Sequence, residues 1–149
     1  MRAVAQRVSE ATVTVDSVVV GRIGRGMLVY LGDAADDQAG DADYLADKVA
    51  RLRVFPDSEN RMNLDVTQAE GAVLVVSAFT IQADARKGRR PTFDAAARPE
   101  HARPLYEQFC AALRDLGVIV ETGSFGAMMD VRSVNAGPIC ILLDSARTF

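Results

Sequence analysis

Histidine is nearly absent from this sequence, and its scarcity limits the catalytic mechanisms open to the chain. The one histidine is His101, so a nucleophile activated by histidine would have to use it. The nearest thiol, Cys110, lies nine positions further on, which puts the two side chains on roughly opposite faces of one helix. Polar neighbours instead favour a solvated residue at the start of that helix. We therefore expect no His-activated nucleophile.

Cysteine is also scarce, since Cys110 and Cys140 are the only two thiols. They are far apart in sequence and belong to no C-x-x-C or Cys-His pattern, so the sequence indicates neither a zinc site nor a disulfide framework. No histidine or lysine accompanies Cys140 in its motif, which disfavours a thiol nucleophile there. We expect reduced cysteines, no metal and no cofactor.

Long apolar segments are missing as well. No run approaches the roughly 18 residues that a membrane helix requires, and the N-terminus begins with a strand pattern rather than a signal peptide. We expect a cytoplasmic protein without a membrane partner. Its 149 residues predict one domain, residues 1–149. The net charge of −3 does not mark a nucleic-acid-binding protein, so any RNA contact must come from a local patch.

Strand patterns dominate the chain. Alternating residues in the first third predict an antiparallel meander with a hairpin turn at Asp16-Ser17. The β-branched run Ala72–Val76 predicts a central, buried strand. The other predicted strands are Ala3–Val8, Thr12–Val15, Val18–Ile23, Met27–Leu31, Val118–Glu121, Met128–Val134 and Ile139–Leu143.

Two helices accompany these strands. The first is predicted at about Asp41–Arg53, and a loop follows over Phe55–Asn63. The second covers roughly Pro99–Leu116 or Pro104–Leu116. Because proline is tolerated only in the first turn of a helix, we expect a kink or a start near Arg103. The predicted fold class is α/β of the α+β type, a curved, largely antiparallel sheet with two main helices packed on it.

A cluster of basic residues follows the buried strand in the middle of the chain. Its members stand within five positions and are Arg86, Lys87, Arg89 and Arg90. In an otherwise acidic chain they can clamp phosphates, and Gly88 would allow close approach. A solvated loop is the alternative, which charge alone does not decide. The segment Ser77–Thr80 lies between the strand and this cluster, so hydroxyls and cations are close in sequence.

The segment Asn135-Ala136-Gly137-Pro138 interrupts two strand-like runs near the end of the chain. Proline has no N–H and cannot donate to a ladder, while glycine permits backbone geometries that other residues resist. A Gly-Pro bond can also be cis, since X-Pro bonds disfavour that form by only about 0.5–1 kcal/mol. The flanking carbonyls can then point the same way as a pair of acceptors. A plain turn is the alternative for this segment taken alone.

Five segments occur in an order and spacing that identify a family. They are Met1–Ser9, Ser77–Thr80, Arg86–Phe93, Gly123–Met128 and Asn135–Pro138. Over essentially the whole chain they resemble the D-aminoacyl-tRNA deacylases. The resemblance implies a homodimer that hydrolyses the ester joining a D-amino acid to the terminal adenosine of tRNA. It also implies that Gly137-Pro138 is a cis pair in the partner subunit's pocket, where its carbonyl oxygens hold the α-amino group.

The resemblance assigns roles to further residues. Arg7 would support the loop that carries Asn135, Gly137 and Pro138, the residues expected to select chirality. A D side chain would point outward whereas an L side chain would collide with this loop, and glycyl-tRNA would be accepted because glycine has no side chain. The catalytic candidates at the adenosine and ester end are Ser77, Phe79 and Thr80, and the tRNA-binding candidates are Arg86, Lys87, Arg89 and Arg90.

The family also implies a mechanism without a protein base. The neighbouring ribose hydroxyl would position or activate water, and the backbone N–H groups around Phe79 and Thr80 would stabilise the developing oxyanion. Two positions depart from the family, because Ala78 stands where glutamine is usual and Cys140 where threonine is usual. Because of these departures, a related deacylase with relaxed or altered preference for chirality is an alternative function. A non-catalytic tRNA-binding dimer is a further alternative.

Overall fold

A six-stranded sheet organises the computed structural model, which describes residues 1–149. In chain order the elements are β1 Arg2–Val15, β2 Val18–Ile23, β3 Gly26–Gly32, α1 Ala39–Ala50, β4 Phe55–Pro56, β5 Met62–Leu64, β6 Ala72–Ser77, a 3-10 turn at Phe79–Gln82, α2 Pro99–Asp115, β7 Ile119–Thr122 and β8 Asp130–Asp144. Strands β4 and β5 form a separate two-stranded ribbon, and the other six strands form the sheet.

The strand order in the sheet is β2-β1-β3-β6-β7, and β8 pairs with the other side of β1. Strand β1 runs antiparallel to β2, β3 and β8, whereas β6 runs parallel to β3 and β7. The sheet curls so tightly that a Cβ at Gly21 of β2 would overlap the Thr122 carbonyl oxygen of β7. Only glycine permits this approach. The predicted curved sheet is therefore confirmed.

Both helices cover one face of the sheet, as predicted. The main core includes Leu45 and Val49 from α1, Phe109 and Leu113 from α2, and Val29 from β3. A smaller cluster on the opposite face contains Val8, Val13, Leu28 and Leu74. Successive residues of a strand alternate between these faces, and each large aliphatic side chain that is buried contributes about 1.5–3 kcal/mol to stability.

Helix α1 begins two residues earlier than the sequence predicts. Helix α2 begins at Pro99, the earlier of the two predicted starts, so a start near Arg103 is wrong. The carbonyl of Arg98 accepts the N–H of Ala102 at 2.9 Å, which already closes the first helical turn. Pro104 therefore lies inside the helix, where tertiary packing of the buried face outweighs the missing backbone donor.

Two predicted breaks between strands are continuous in the structure. The segments Ala3–Val8 and Thr12–Val15 belong to one strand, β1, and β8 runs through Asn135–Pro138. The predicted loop Phe55–Asn63 contains β4 and the start of β5. The Asp16-Ser17 hairpin turn is confirmed, with φ values of +47° and +66°. Neither helix is long and apolar enough to cross a membrane.

Candidate active site

The Gly137-Pro138 segment lies in a bulge where β8 passes the middle of β1. The register places four residues of β8, numbers 136–139, opposite Arg7 alone. Gly137 and Pro138 are exposed, and the peptide bond between them is cis. Gly137 and Pro138 therefore lie on the surface of the protein without a partner residue on β1.

Arg7 and Asn135 hold the bulge from two sides. The Nε of Arg7 donates to the Ala136 carbonyl at 3.0 Å, and its Nη1 donates to the Val54 carbonyl at 2.6 Å. The Oδ1 of Asn135 accepts the N–H of Ile139 at 3.0 Å, which spans the bulge. Hydrogen bonds from a charged donor stabilise by about 1.5–3 kcal/mol. Both residues thus fix the main chain on either side of Gly137-Pro138.

Gly137 has no room for a side chain. Its φ of +132° belongs to a region that L residues rarely adopt. An added Cβ would lie 2.7 Å from Cγ1 of Ile139 and 3.2 Å from Nη2 of Arg7. Any larger residue would therefore push against Ile139 and crowd the arginine that supports the bulge.

A cavity of about 320 Å³ opens beside the bulge. Its lining residues are Arg7, Val8, Ser9, Arg25, Phe55, Pro56 and Ala136. The guanidinium of Arg25 lies over the Phe55 ring, 5.5 Å from its centroid, in a cation–π contact. The two arginines make this cavity attractive to an anionic group.

The predicted ester-end residues lie where β6 leaves the sheet. Ser77 is the last residue of β6, and Phe79 and Thr80 begin the 3-10 turn that follows. Gln82 at the end of this turn donates through Nε2 to the Gly32 carbonyl at 2.7 Å, and the N–H of Ala78 donates to the Leu31 carbonyl at 2.7 Å. The turn is therefore attached to the end of β3, with Phe79 55% exposed and Thr80 also exposed.

The basic cluster forms a loop that is closed at its base. Asp84 and Thr92 exchange two backbone hydrogen bonds of 2.9 Å. The Asp84 carboxylate also binds Arg86, with Nη2 2.6 Å from Oδ2, and this bond lowers the pKa of Asp84 to about 2. The exposed basic residues of the loop that form no ion pair are Lys87, Arg89 and Arg90.

An aromatic contact connects this loop to the turn. The rings of Phe79 and Phe93 meet edge to face, with centroids 5.2 Å apart and an angle of 70° between their planes. Phe93 directly follows Thr92, which closes the base of the basic loop. Phe93 was not predicted as a site residue, although an aromatic residue directly after a cationic run is a signal that the sequence offers.

The bulge and the turn are far apart within one chain. Ser77 pairs with Leu31, and Leu31 pairs with Ala3, whereas the bulge lies opposite Arg7. Four residues along β1 correspond to about 13 Å, and β6 and β8 are separated by three strand spacings of about 4.8 Å each. The structure therefore does not bring Gly137 into the same pocket as the Phe79 turn of its own chain.

Asp33 belongs to a buried polar cluster that no sequence pattern marks. It is 3% exposed and its Oδ1 has no hydrogen-bond partner. Burial, together with the nearby Asp37 carboxylate, raises the pKa of Asp33 to about 6. Asp37 accepts a hydrogen bond from the α-ammonium of Met1, and its carbonyl oxygen lies 2.8 Å from Nε2 of His101. His101 thus ties the start of α2 to this cluster.

The two thiols are in different environments. Cys110 is buried, and burial raises its pKa to about 11 because it disfavours the thiolate. Cys140 is exposed on β8 next to the bulge, with Sγ 3.8 Å from Nε2 of Gln6. Both are free, and Cys110 lacks the environment that activates a nucleophilic thiol.

Solved structures share this fold. One described as "c-Myc DNA Unwinding Element Binding Protein" is 36% identical, covers 97% of this chain and 98% of its own, and superposes with a TM-score of 0.91. Another, described as a structural analysis of a probable eukaryotic D-amino acid tRNA deacylase, is 19% identical over 95% of this chain and 97% of its own, with a TM-score of 0.82. The second likeness bears on the fold alone.

Sequence comparison identifies the family. The model described as "D-Tyr-tRNA(Tyr) deacylase" matches residues 4–144. A D-aminoacyl-tRNA deacylase of Anaeromyxobacter dehalogenans is 59% identical over 149 residues, which are all of both chains. That of Symbiobacterium thermophilum is 57% identical over 149 residues, all of this chain and 99% of the relative. With its full length aligned in this way, the chain belongs to the D-Tyr-tRNA(Tyr) deacylase family.

Proposed function

We propose that this protein hydrolyses the ester bond of D-aminoacyl-tRNA, releasing free tRNA and a D-amino acid as a chiral proofreading step of translation in the cytoplasm. The exposed bulge at Gly137-Pro138, which Arg7 and Asn135 fix through backbone contacts, carries the proposal. Membership in the deacylase family supports the reaction. Residues 1–149 act as one domain in it.

Selection of the D enantiomer depends on the main chain of the bulge. Its carbonyl oxygens accept hydrogen bonds from the α-ammonium group of the substrate, while the ester is held at the other end of the amino acid. A D side chain then points to open space, and an L side chain collides with Gly137-Pro138. Glycyl-tRNA has no side chain to collide and is a second substrate. Tight fixation by Arg7 makes this clash effective, because a mobile loop would yield.

A second copy of the chain completes the site. The bulge and the Phe79 turn of one chain lie too far apart to hold one aminoacyl group, so the bulge acts in the pocket of a partner subunit. Strand β8 pairs only with β1, and its long outer edge has no strand beside it. Val134 and Leu142 of β8 are 52% and 58% exposed, which provides apolar surface for an interface. The protein therefore works as a homodimer.

The ester end of the substrate lies at the turn after β6. Phe79 and Thr80 line the adenosine and the ester, Ser77 precedes them at the strand end, and their backbone N–H groups stabilise the oxyanion. Water is positioned by the ribose hydroxyl of the tRNA, so turnover needs no titrating side chain. Lys87, Arg89 and Arg90 contact phosphates, whereas Arg86 is already engaged by Asp84.

Matched hydrolysis assays with D-tyrosyl-tRNA and L-tyrosyl-tRNA test this function. We expect rapid loss of the D ester and loss of the L ester at the rate in buffer, with glycyl-tRNA also cleaved. Faster loss of the L ester would contradict D selectivity and support altered chirality. Restoring the usual residues in Ala78→Gln and Cys140→Thr variants shows whether the two departures change this preference.

A tRNA-binding dimer without catalysis is the second candidate, favoured by the loop with three unpaired cations. Titration of the dimer with deacylated tRNA, combined with the hydrolysis assay, separates the two functions. Binding together with hydrolysis supports the deacylase. Binding with no hydrolysis above buffer would establish the non-catalytic alternative.

A further inference from the structure

Phe79 and Phe93 form an exposed aromatic pair outside both cores of the protein. They are 55% and 36% exposed, whereas Phe55 and Phe109 are 1% and 0% exposed. Their edge-to-face contact, with centroids 5.2 Å apart, holds the two rings in a fixed relation. Aromatic rings that form a core are buried. Exposed rings, in contrast, offer faces on which unpaired bases can stack.

The basic loop brings cations to this aromatic pair. The Asp84–Thr92 bridge closes the loop, and Phe93 directly follows this bridge. The loop and the Phe93 ring therefore start from the same point of the chain. Because Asp84 neutralises Arg86, the cations that remain for a ligand are Lys87, Arg89 and Arg90. Aromatic rings beside a group of unpaired cations match a single nucleic-acid strand, whose bases stack while its phosphates bind the cations.

We propose that Phe93, supported by Phe79, is a stacking platform for the base next to the terminal adenosine of the tRNA, and that Lys87, Arg89 and Arg90 contact the phosphates of the same unpaired end. This inference rests on the proposed function and adds a subsite to it. The ligand is single-stranded because bases within a paired stem already stack on each other and present no free face. Phe93 is thus a substrate-positioning residue.

Fluorescence of a cytidine analogue tests this subsite. Deacylated tRNA with pyrrolocytidine next to its terminal adenosine should change its emission when titrated with the wild-type dimer, because stacking on an aromatic ring alters the probe. Phe93→Tyr should keep this change and Phe93→Leu should lose it. Val18→Ala is the control, since Val18 is a 64% exposed apolar residue that pairs with Val15, at the opposite end of β1 from the Phe79 turn. It should behave as wild type.

Affinity gives an independent measurement. Phe93→Leu should weaken binding of full-length tRNA by roughly 5- to 150-fold, the range that corresponds to stacking of one base. Binding of tRNA trimmed of its unpaired 3′ nucleotides should be equal for Phe93→Leu and wild type. An unchanged emission signal in Phe93→Leu, or equal losses with full-length and trimmed tRNA, would overturn the subsite.

Hydrolysis of D-tyrosyl-tRNA, measured on the same preparations, separates this inference from the proposed function. Hydrolysis by a wild-type dimer that produces no emission change would overturn the stacking platform and leave the deacylase intact. An emission change that depends on Phe93, without hydrolysis, would support the platform and overturn the deacylase.

Discussion

The bulge at Gly137-Pro138 and the segment from Phe79 to Phe93 are built in opposite ways. In the bulge the exposed residues Gly137 and Pro138 have no partner on β1, and Arg7 and Asn135 hold the main chain on either side of them. In the segment 79–93 the outward-facing groups are side chains on a single turn and on a loop closed by one bridge. In the proposed function, this contrast assigns the rejection of a mirror image to fixed main-chain atoms and the binding of RNA to exposed charges.

This contrast predicts that substitutions in the bulge change the rate and that substitutions in the loop change the affinity. The largest effect is expected for Gly137→Ala, because the added methyl would displace Ile139 or Arg7. Turnover of D-tyrosyl-tRNA should fall about 10²-fold, as expected for displacement of reacting groups by about 1 Å. Gly24→Ala is a matched control, since a Cβ at Gly24 meets no atom within 4 Å. Wild-type rates in folded Gly137→Ala dimers would exclude a selector role.

Arg7→Lys should have the next largest effect. A lysine ammonium cannot reach both the Ala136 and the Val54 carbonyls as the guanidinium does, so the bulge loses one of its two supports. We expect turnover to fall about tenfold, which corresponds to the loss of one charged hydrogen bond, with unchanged tRNA affinity. Arg22→Lys, at an exposed position on β2, is the control. A weaker tRNA affinity at constant turnover would contradict the division between the regions.

Charge reversal in the loop tests the other region. Combined Arg89→Glu and Arg90→Glu substitutions should weaken tRNA binding about tenfold and reduce the slope of log K against log salt by about 1.5, because two phosphate contacts are lost. Arg86→Gln should reduce the slope much less, since Arg86 is already bound to Asp84. Binding titrations at several salt concentrations measure these slopes. Equal reductions by the two changes would mean that the ion pair of Arg86 with Asp84 does not persist when tRNA binds.

Thr80→Val should have a smaller effect. If the N–H groups of the turn rather than the hydroxyl act on the ester, single-turnover hydrolysis of D-tyrosyl-tRNA should fall by less than about fivefold. Removal of a group that transfers a proton typically lowers the rate by about 10²–10⁴-fold. Near-total loss in a folded variant would therefore identify Thr80 as a side-chain catalyst.

Asp33→Asn should leave turnover unchanged and alter only stability. The folded-state pKa of about 6 lies above the usual value of 3.8, so the protonated carboxyl stabilises the fold below about pH 4 and this contribution is lost as pH rises through about 6. The loss amounts to about 3 kcal/mol for a shift of this size. Asparagine stays neutral, so thermal unfolding of the variant should occur above the wild-type Tm at pH 8 and at a similar Tm at pH 4. Lost turnover would identify Asp33 as a general base.

Much of the fold was predictable because its signals are local. Strand alternation, the Asp16-Ser17 turn and the apolar faces of both helices follow from residues close in sequence. Local signals did not decide between Pro99 and Pro104 as the start of α2, because packing of the buried face outweighs the tendency of Pro104 to end a helix. The continuity of β8 through Asn135–Pro138 depends likewise on Arg7, which lies far away in sequence.

For the candidate site, the sequence predicts which residues take part but not how they are arranged. Short motifs and a family resemblance named Arg7, Gly137 and the basic cluster, and their roles stay predictions. The contacts between individual side chains were not predictable from the sequence. The ion pair of Asp84 with Arg86, the contact of Phe79 with Phe93 and the burial of Asp33 arise from positions that only the folded backbone brings together.

The pairing of β1 with three other strands has an evolutionary consequence. The stretch between Ala3 and Arg7 sets the distance from the end of β3 to the bulge, and neighbouring strands bind it on both sides. Inserting or deleting a single amino acid there would turn Arg7 to the opposite face of the sheet. The length of this stretch is therefore constrained during divergence.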